Sequence, residues 1–393
     1  MAIVFIKSLE PLKLRMAYNN DVIKFYSNNS TTIVKYADVI IDTPGSVPDV
    51  TMRLYPAPDG TFTCNLKPYI VSLINKRNFE DTTQTNINSN DITSFFYDNT
   101  IGTILKKNLN IVIPGESYTV GLFWIAGVEQ LGLRPQFDMR EFYVMSPYDK
   151  NTYYHNYIKY WQGYPFDLPF FYGNNITANI NNYKIKNETN LLDMSFTIDK
   201  TGSVNLAGRL FFSDGRTDET LEDLLPLVEG YNKLIWSKVG QPSTKDKFIT
   251  LEKMPYRCGV YFKWLNKYGG YNYWLFENTY SIDRTSKQLG ELSRDNDNLE
   301  DTFSNAIQIG KDSQDTIKVI AELIPEHERI VLEGIIDSPK IYMFTGQPFA
   351  RNGFRDWVEV SLKTTNTRVK NPKQQLTNFV FDFELPQRYT QTL

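Results

Sequence analysis

Phenylalanines at positions 379, 381 and 383 alternate with Val380, Asp382 and Glu384, and the same two-residue period recurs over residues 21–26 and 183–212. A period of two puts every second side chain on one face of a pleated strand, so such a chain hides its rings inside sheets. With 25 Tyr and 25 Phe, aromatics reach 14% of the chain, an excess that suits strands and interfaces, because flat rings fill a half-buried pleated surface. At 393 residues one hydrophobic core is outgrown and roughly two to four domains are expected. The predicted fold is mostly β, with several antiparallel β-sandwich or barrel-like domains and a short helical segment near the C-terminus.

Residues 1–78 read as an N-terminal β-sandwich of immunoglobulin-like size. Within it PAPDG at 56–60 separates two strand-like runs, and Asp59-Gly60 predicts a hairpin turn. Residues 67–74 then predict a helical turn that tucks Tyr69, Ile70 and Leu73 beneath the sheet. Residues 79–109 form a polar loop, rich in Asp, Thr, Asn and Ser, that orders only against a neighbour. Residues 110–284 make a central β domain or domains, whose clearest hairpin turns at KYGG, 267–270. Residues 285–313 are polar and charged, a mobile linker or arm. In 314–393, a helix-plus-β domain packing on the central sheet, Ile317, Ile320, Ala321 and Ile324 make a helical stripe. Pro325 restarts that helix, Ile330, Val331, Gly334 and Ile335 continue it, and strands follow at 340–345, 357–363 and 376–385.

The residues that carry most enzyme chemistry are scarce. Cys64 and Cys258 are the only cysteines and His155 and His327 the only histidines, and no spacing among them suits a zinc site or a Ser-His-Asp centre. Two reduced thiols, no metal and no cofactor are expected. The carboxylate pairs Glu222 with Asp223 and Asp382 with Glu384 sit in solvated patterns, and the loop from Gly346 to Gly353 lacks the strand-to-helix context of a phosphate cradle. The formal net charge is -3, with scattered Lys and Arg; no nucleic-acid footprint results, although DNA sliding through a neutral or acidic lumen is compatible with it. The opening MAIVFIKSLEP is too short for a signal-peptide core, and no apolar run reaches the roughly 18 residues of a membrane span, so synthesis in a cytoplasm is expected. The sequon-like triplets at 175–177 and 187–189 are the chance product of an Asn-rich chain.

One segment is unusually aromatic: Tyr153, Tyr154, Tyr157, Tyr160, Trp161, Tyr164, Phe166, Phe170, Phe171 and Tyr172. Pro165 and Pro169 break any helix there, leaving an extended or turning backbone. Core packing, a subunit interface and a carbohydrate platform all accommodate such rings. Tyr157, Trp161, Tyr164, Phe166 and Phe170 are the candidates for burial against a neighbouring subunit. Trp264 and Trp274, on either side of the KYGG turn, are expected to be structural.

The motif CGVYFKWLNKYGGYNYWLF at 258–276 resembles a segment of virion structural proteins from crAss-like tailed phages that infect Bacteroidetes. PAPDG at 56–60 with LKPYIVSLI at 66–74 is similar to sandwich domains of the same proteins. The run from Ser338 through WVEV at 357–360 to LTNFVFDFEL at 376–385 resembles the β-rich closing segment of tail-hub and distal-tail proteins. The middle of the chain has no counterpart. The resemblance implies a hub, collar or baseplate subunit, made in the host cytoplasm and located in the virion tail. It implies a cyclic homo-oligomer that contacts other tail proteins, with DNA passing through the lumen unread, no membrane span and no catalysis. A carbohydrate-binding adhesin or receptor-binding protein is the alternative, and a glycan-degrading enzyme the third.

Overall fold

The chain is mostly β, and the described residues form five sheets and two short α-helices. The computed structural model describes residues 3–28, 34–43, 46–98, 101–129, 138–149, 155–173, 180–199, 206–240, 245–277, 280–293, 306–364, 368–369 and 376–392. Tyr153, Tyr154, the triplet at 175–177 and residues 294–298 lie outside these. Two compact units result: Met1–Met254 with Asn266–Tyr271 and Pro348–Phe354, and Pro255–Leu265 with Asn272–Gln347 and Arg355–Leu393.

In the first unit, a three-stranded sheet (Ile3–Phe5, Val22–Ser27, Phe62–Asn65) faces a five-stranded one (Leu14–Met16, Glu116–Ile125, Ile104–Ile113, Ala37–Asp42, Val50–Leu54). Phe5 meets Tyr118 edge-on at 5.0 Å and Cys64 Sγ lies 3.8 Å from Met52 Sδ across the layers. The turn at 56–60 is present, with Gly60 at φ +79°, but Val50–Leu54 and Phe62–Asn65 enter different sheets, so the expected hairpin is an arch between layers. Strands Ile104–Ile113 and Glu116–Ile125 belong to this sandwich, which therefore reaches past residue 78. The helix Lys67–Asn75 buries Ile70 and Ile74, while Tyr69 and Leu73 are half-buried. Among the described strands two pairings are parallel, Leu14–Met16 on 123–125 and 156–161 on 249–254, within sheets that are otherwise antiparallel.

The same unit holds a four-stranded sheet (Tyr143–Val144, Pro165–Phe171, Ala207–Asp214, Phe96–Asp98) and a six-stranded one (Tyr148–Asp149, His155–Trp161, Lys247–Met254, Gly230–Lys238, Ile180–Asn187, Leu192–Asp199). Rings interdigitate between them. Phe170 lies 4.8 Å from Trp236, Tyr160 5.3 Å from Phe166, and Phe96 stacks on Phe196 at 4.1 Å.

The polar segment at 79–98 is held by its own chain. Arg209 grips Asp81 through two nitrogens (2.7 and 3.0 Å), Arg216 donates to the Ile87 carbonyl and Arg351 to the Thr85 carbonyl. Phe79, Ile87 and Phe95 are buried. Expectation placed this loop against a neighbour because its composition is polar; three buried apolar side chains, with guanidinium groups that reach a carboxylate and two backbone carbonyls, order it within the chain.

The second unit is one seven-stranded sheet in the order Tyr271–Glu277, Gly259–Leu265, Ile341–Phe344, Trp357–Leu362, Thr377–Glu384, Ala306–Ile324, Tyr280–Ser293. Phe262 of its second strand stacks on Phe383 of the fifth at 4.6 Å, and Phe276 of the first lies 6.0 Å from Phe381. With strands about 4.8 Å apart, a flat sheet would hold these rings three or four spacings apart. The sheet is therefore curled around its phenylalanines, in barrel-like fashion.

Residues 306–324, whose second half was expected to be helical, form one strand. Ile317, Val319 and Ala321 are buried and the intervening side chains less so; β-branched side chains at period two outweigh the coincident helical stripe. Helix begins only at Glu326–Glu333, after Pro325. Residues 285–293 and 306–313, expected as mobile linker, are strands of one long hairpin. Each satisfies the other's backbone groups, so polar side chains do not prevent order.

Candidate functional site

Four of the five aromatic candidates are interior. Trp161, Tyr164, Phe166 and Phe170 are each no more than 3% exposed, in the layer between the four- and six-stranded sheets or beside it. Tyr157 is half-buried, stacked on His155 at 4.6 Å. The four buried rings pack the chain's own core; Pro165–Phe171 is buried on both faces, and Tyr160 and Trp161 at the end of His155–Trp161 are buried with it. Trp264 and Trp274 are also buried.

The carboxylate pairs do not converge. Glu222 is bound by Lys253, Asp223 accepts from the Thr220 backbone N–H at 3.0 Å, and Glu384 pairs with Lys363 at 2.7 Å. Among the described residues no group of three or more His, Cys, Asp or Glu is placed to hold a metal, and no helix is long and apolar enough to cross a membrane. Cys64 is buried, which pushes its thiol pKa up; Cys258 is exposed.

Two polar features remain in the first unit. A cavity of about 130 Å³ is lined by Lys7, Lys13, Arg15, Asn19, Asp21 and Glu129 among others. Arg15 binds Asp21 at 2.6 Å, Trp124 Nε1 donates to the same carboxylate, and Asn19 exchanges two 2.7 Å hydrogen bonds with the Glu129 backbone. Its charges largely answer one another and leave no pair poised for proton transfer. Lys238 points inward beside the Tyr183 ring, 5.8 Å away, and burial lowers its pKa to about 8.

A long free sheet edge lies in the hairpin of the second unit. Tyr280–Ser293 stands at the end of the sheet order, bonded to Ala306–Ile324 on one side and to no described strand on the other. Thirteen of its fourteen residues are exposed, and its backbone edge carries the apolar side chains Tyr280, Ile282, Leu289 and Leu292 into solvent. A free edge of this length offers hydrogen-bonding groups to another chain. Its register is regular from Tyr280 to Gln288 and then shifts around Gly290. On the inner side of Ala306–Ile324, Thr377–Glu384 covers residues 316–324. Beyond that the C-terminal segment takes over, with Leu385 N donating to the Asp315 carbonyl at 3.0 Å and a bridge from Thr392 to Gly310.

Asp315 fastens the base of this hairpin. Arg284 reaches both its oxygens (2.6 and 3.0 Å) and Arg388 of the C-terminal segment adds a third bond at 2.9 Å. Hydrogen bonding by Arg284, followed by that of Arg388, holds the carboxyl down at about 2 against an ordinary 3.8. A folded pKa below the unfolded one gives stabilisation that is complete above 3.8 and disappears as pH falls through about 2. Asp315→Asn is accordingly expected to lower the melting temperature near neutral pH. That deficit should close in melts recorded at decreasing pH through the same window.

Which face is an edge depends on which strands pair, and a local pattern cannot encode that; only the polar composition of 285–313 pointed here. No protein-family model matches the chain, and no curated protein matches it either.

Proposed function

We propose that this chain is a structural subunit of a phage tail, a hub, collar or baseplate component that assembles through protein–protein contacts into a ring around the DNA channel. The observation that carries the proposal is the fourteen-residue exposed edge of Tyr280–Ser293, a surface suited to strand addition. It joins the resemblance of residues 258–276 and 338–385 to tail-hub and distal-tail proteins. Rigid β units with a long exposed hairpin suit an assembly part, and Glu222, Asp223 and Glu384 are engaged in ion pairs and a cap and not gathered at a cleft. With a formal net charge of -3, DNA would pass without base-specific contacts.

The test images the full chain by mass photometry and negative-stain microscopy, alone and with the other proteins of the same tail. A second form has residues 287–312 replaced by Asn-Gly, so that Ser286 and Ser313, already cross-strand partners, flank a two-residue turn. The full chain is expected to form rings and the shortened one to remain folded without closing a ring. A full chain that joins no assembly, even with its tail partners, rules the function out.

A further inference from the structure

The outer edge of Tyr280–Ser293 has a charge pattern that is its own complement. Asp283, Thr285 and Lys287 alternate onto one face of the strand, inside its regular stretch. Arg284, on the other face, is engaged by Asp315, whereas neither Asp283 nor Lys287 has an ion-pair partner among the described residues. We propose that a second copy of this chain completes the edge, its own Tyr280–Ser293 running antiparallel about a two-fold axis through Thr285. This rests on the assembly function proposed above and names the partner at that surface.

Rotation about Thr285 brings Asp283 opposite Lys287 of the other copy, and Lys287 opposite its Asp283. Two opposite-charge pairs then flank the axis at cross-strand contact distance. The neighbouring registers do worse. An axis at Asp283, Arg284 or Lys287 sets that residue against its own copy, with like charges face to face, and an axis at Ile282 or Ser286 brings no opposite charges together. An axis between two residues would oppose an outward-pointing backbone group with one already bonded to Ala306–Ile324, which an antiparallel ladder does not allow. Registers centred farther along the strand run into the shift around Gly290. The regular, charged and unpartnered part of the edge therefore selects Thr285.

The contact is isologous and closes after two copies. It couples neighbours in pairs, so a ring in which every copy uses it alternates this contact with a second one and holds an even number of chains.

Sedimentation velocity on the full chain and on D283K, K287D and the double variant D283K/K287D tests the pairing, with circular dichroism as the check on folding. Each single change turns two attractions into two repulsions and is expected to weaken self-association by about tenfold or more. The double change restores opposite signs and should recover affinity to within about threefold. A geometric test uses T285C with the exposed Cys258 changed to serine. Residues opposed in an antiparallel pair have Cα atoms about 4.5–5.5 Å apart, within disulfide reach, so oxidation should give a covalent dimer, while S281C in the same background should not. Self-association that is indifferent to the charge changes, single changes not rescued by the double, or a T285C chain that fails to cross-link would each overturn the pairing and leave assembly by another surface standing. A wild-type chain that stays single under all conditions, with tail partners included, overturns the assembly function as well.

Discussion

Replacing Arg209 by methionine is expected to lower the unfolding free energy by about 3–5 kcal/mol, the range for removing one member of a buried ionic group. Arg209 is 2% exposed and sits between two carboxylates. It holds Asp81 with two bonds, Asp167 with one at 2.6 Å, and Thr83 Oγ1 at 3.2 Å, and its guanidinium lies 4.8 Å from the Phe211 ring centre. Without it Asp81 and Asp167, both nearly sealed from solvent, face each other as like charges in a low-dielectric interior. Lysine is a poor substitute, since one ammonium cannot reproduce the planar fork that spans both acids. Urea unfolding measures the loss, and limited proteolysis should show new cuts in residues 79–98, because the Asp81 contact is one of that segment's anchors. A loss below about 1 kcal/mol would mean the cluster is solvated and the segment is held by other means.

Phe170→Ala should destabilise by a similar amount, about 3–5 kcal/mol, through a cavity the surrounding strands cannot close. The ring is fully buried and touches Tyr172 and Trp236 at 4.8 Å each, Phe96 at 6.3 Å and Tyr183 at 6.5 Å. Its ring contacts come from both sheets that bound the aromatic layer, which makes it a keystone of the fold. The distinguishing measurement is unfolding at several protein concentrations. A core ring gives a loss independent of concentration, whereas an intersubunit ring gives one that grows with assembly.

Strand content was legible because it depends on local alternation: Phe379, Phe381 and Phe383 point inward as their spacing requires, and Asn266 to Gly270 closes the turn between Gly259–Leu265 and Tyr271–Glu277. The errors share one cause, dependence on distant partners. Ile317 to Ile324 satisfies both a helical and a strand period, and pairing with Thr377–Glu384 decides between them; buried Val319 was the local hint. PAPDG specifies a turn without specifying whether its flanks join one sheet or two. The aromatic run at 153–172 announced burial but not what buries it, and the facing layer comes from residues as distant as Phe96 and Trp236. For the long hairpin, polarity marked a segment with no core to enter. It hid the order, because a ribbon exposed on both faces needs backbone pairing and not an apolar side.

The shift in the edge strand around Gly290 also bears on unwanted strand addition. An uninterrupted flat edge of fourteen residues is a template onto which strands of any origin can add, and the product is open-ended fibre. A kink partway along twists the remaining length away from that plane. Only the regular run from Tyr280 to Gln288 is left on which a foreign strand can add, so the shift shortens the template for open-ended growth.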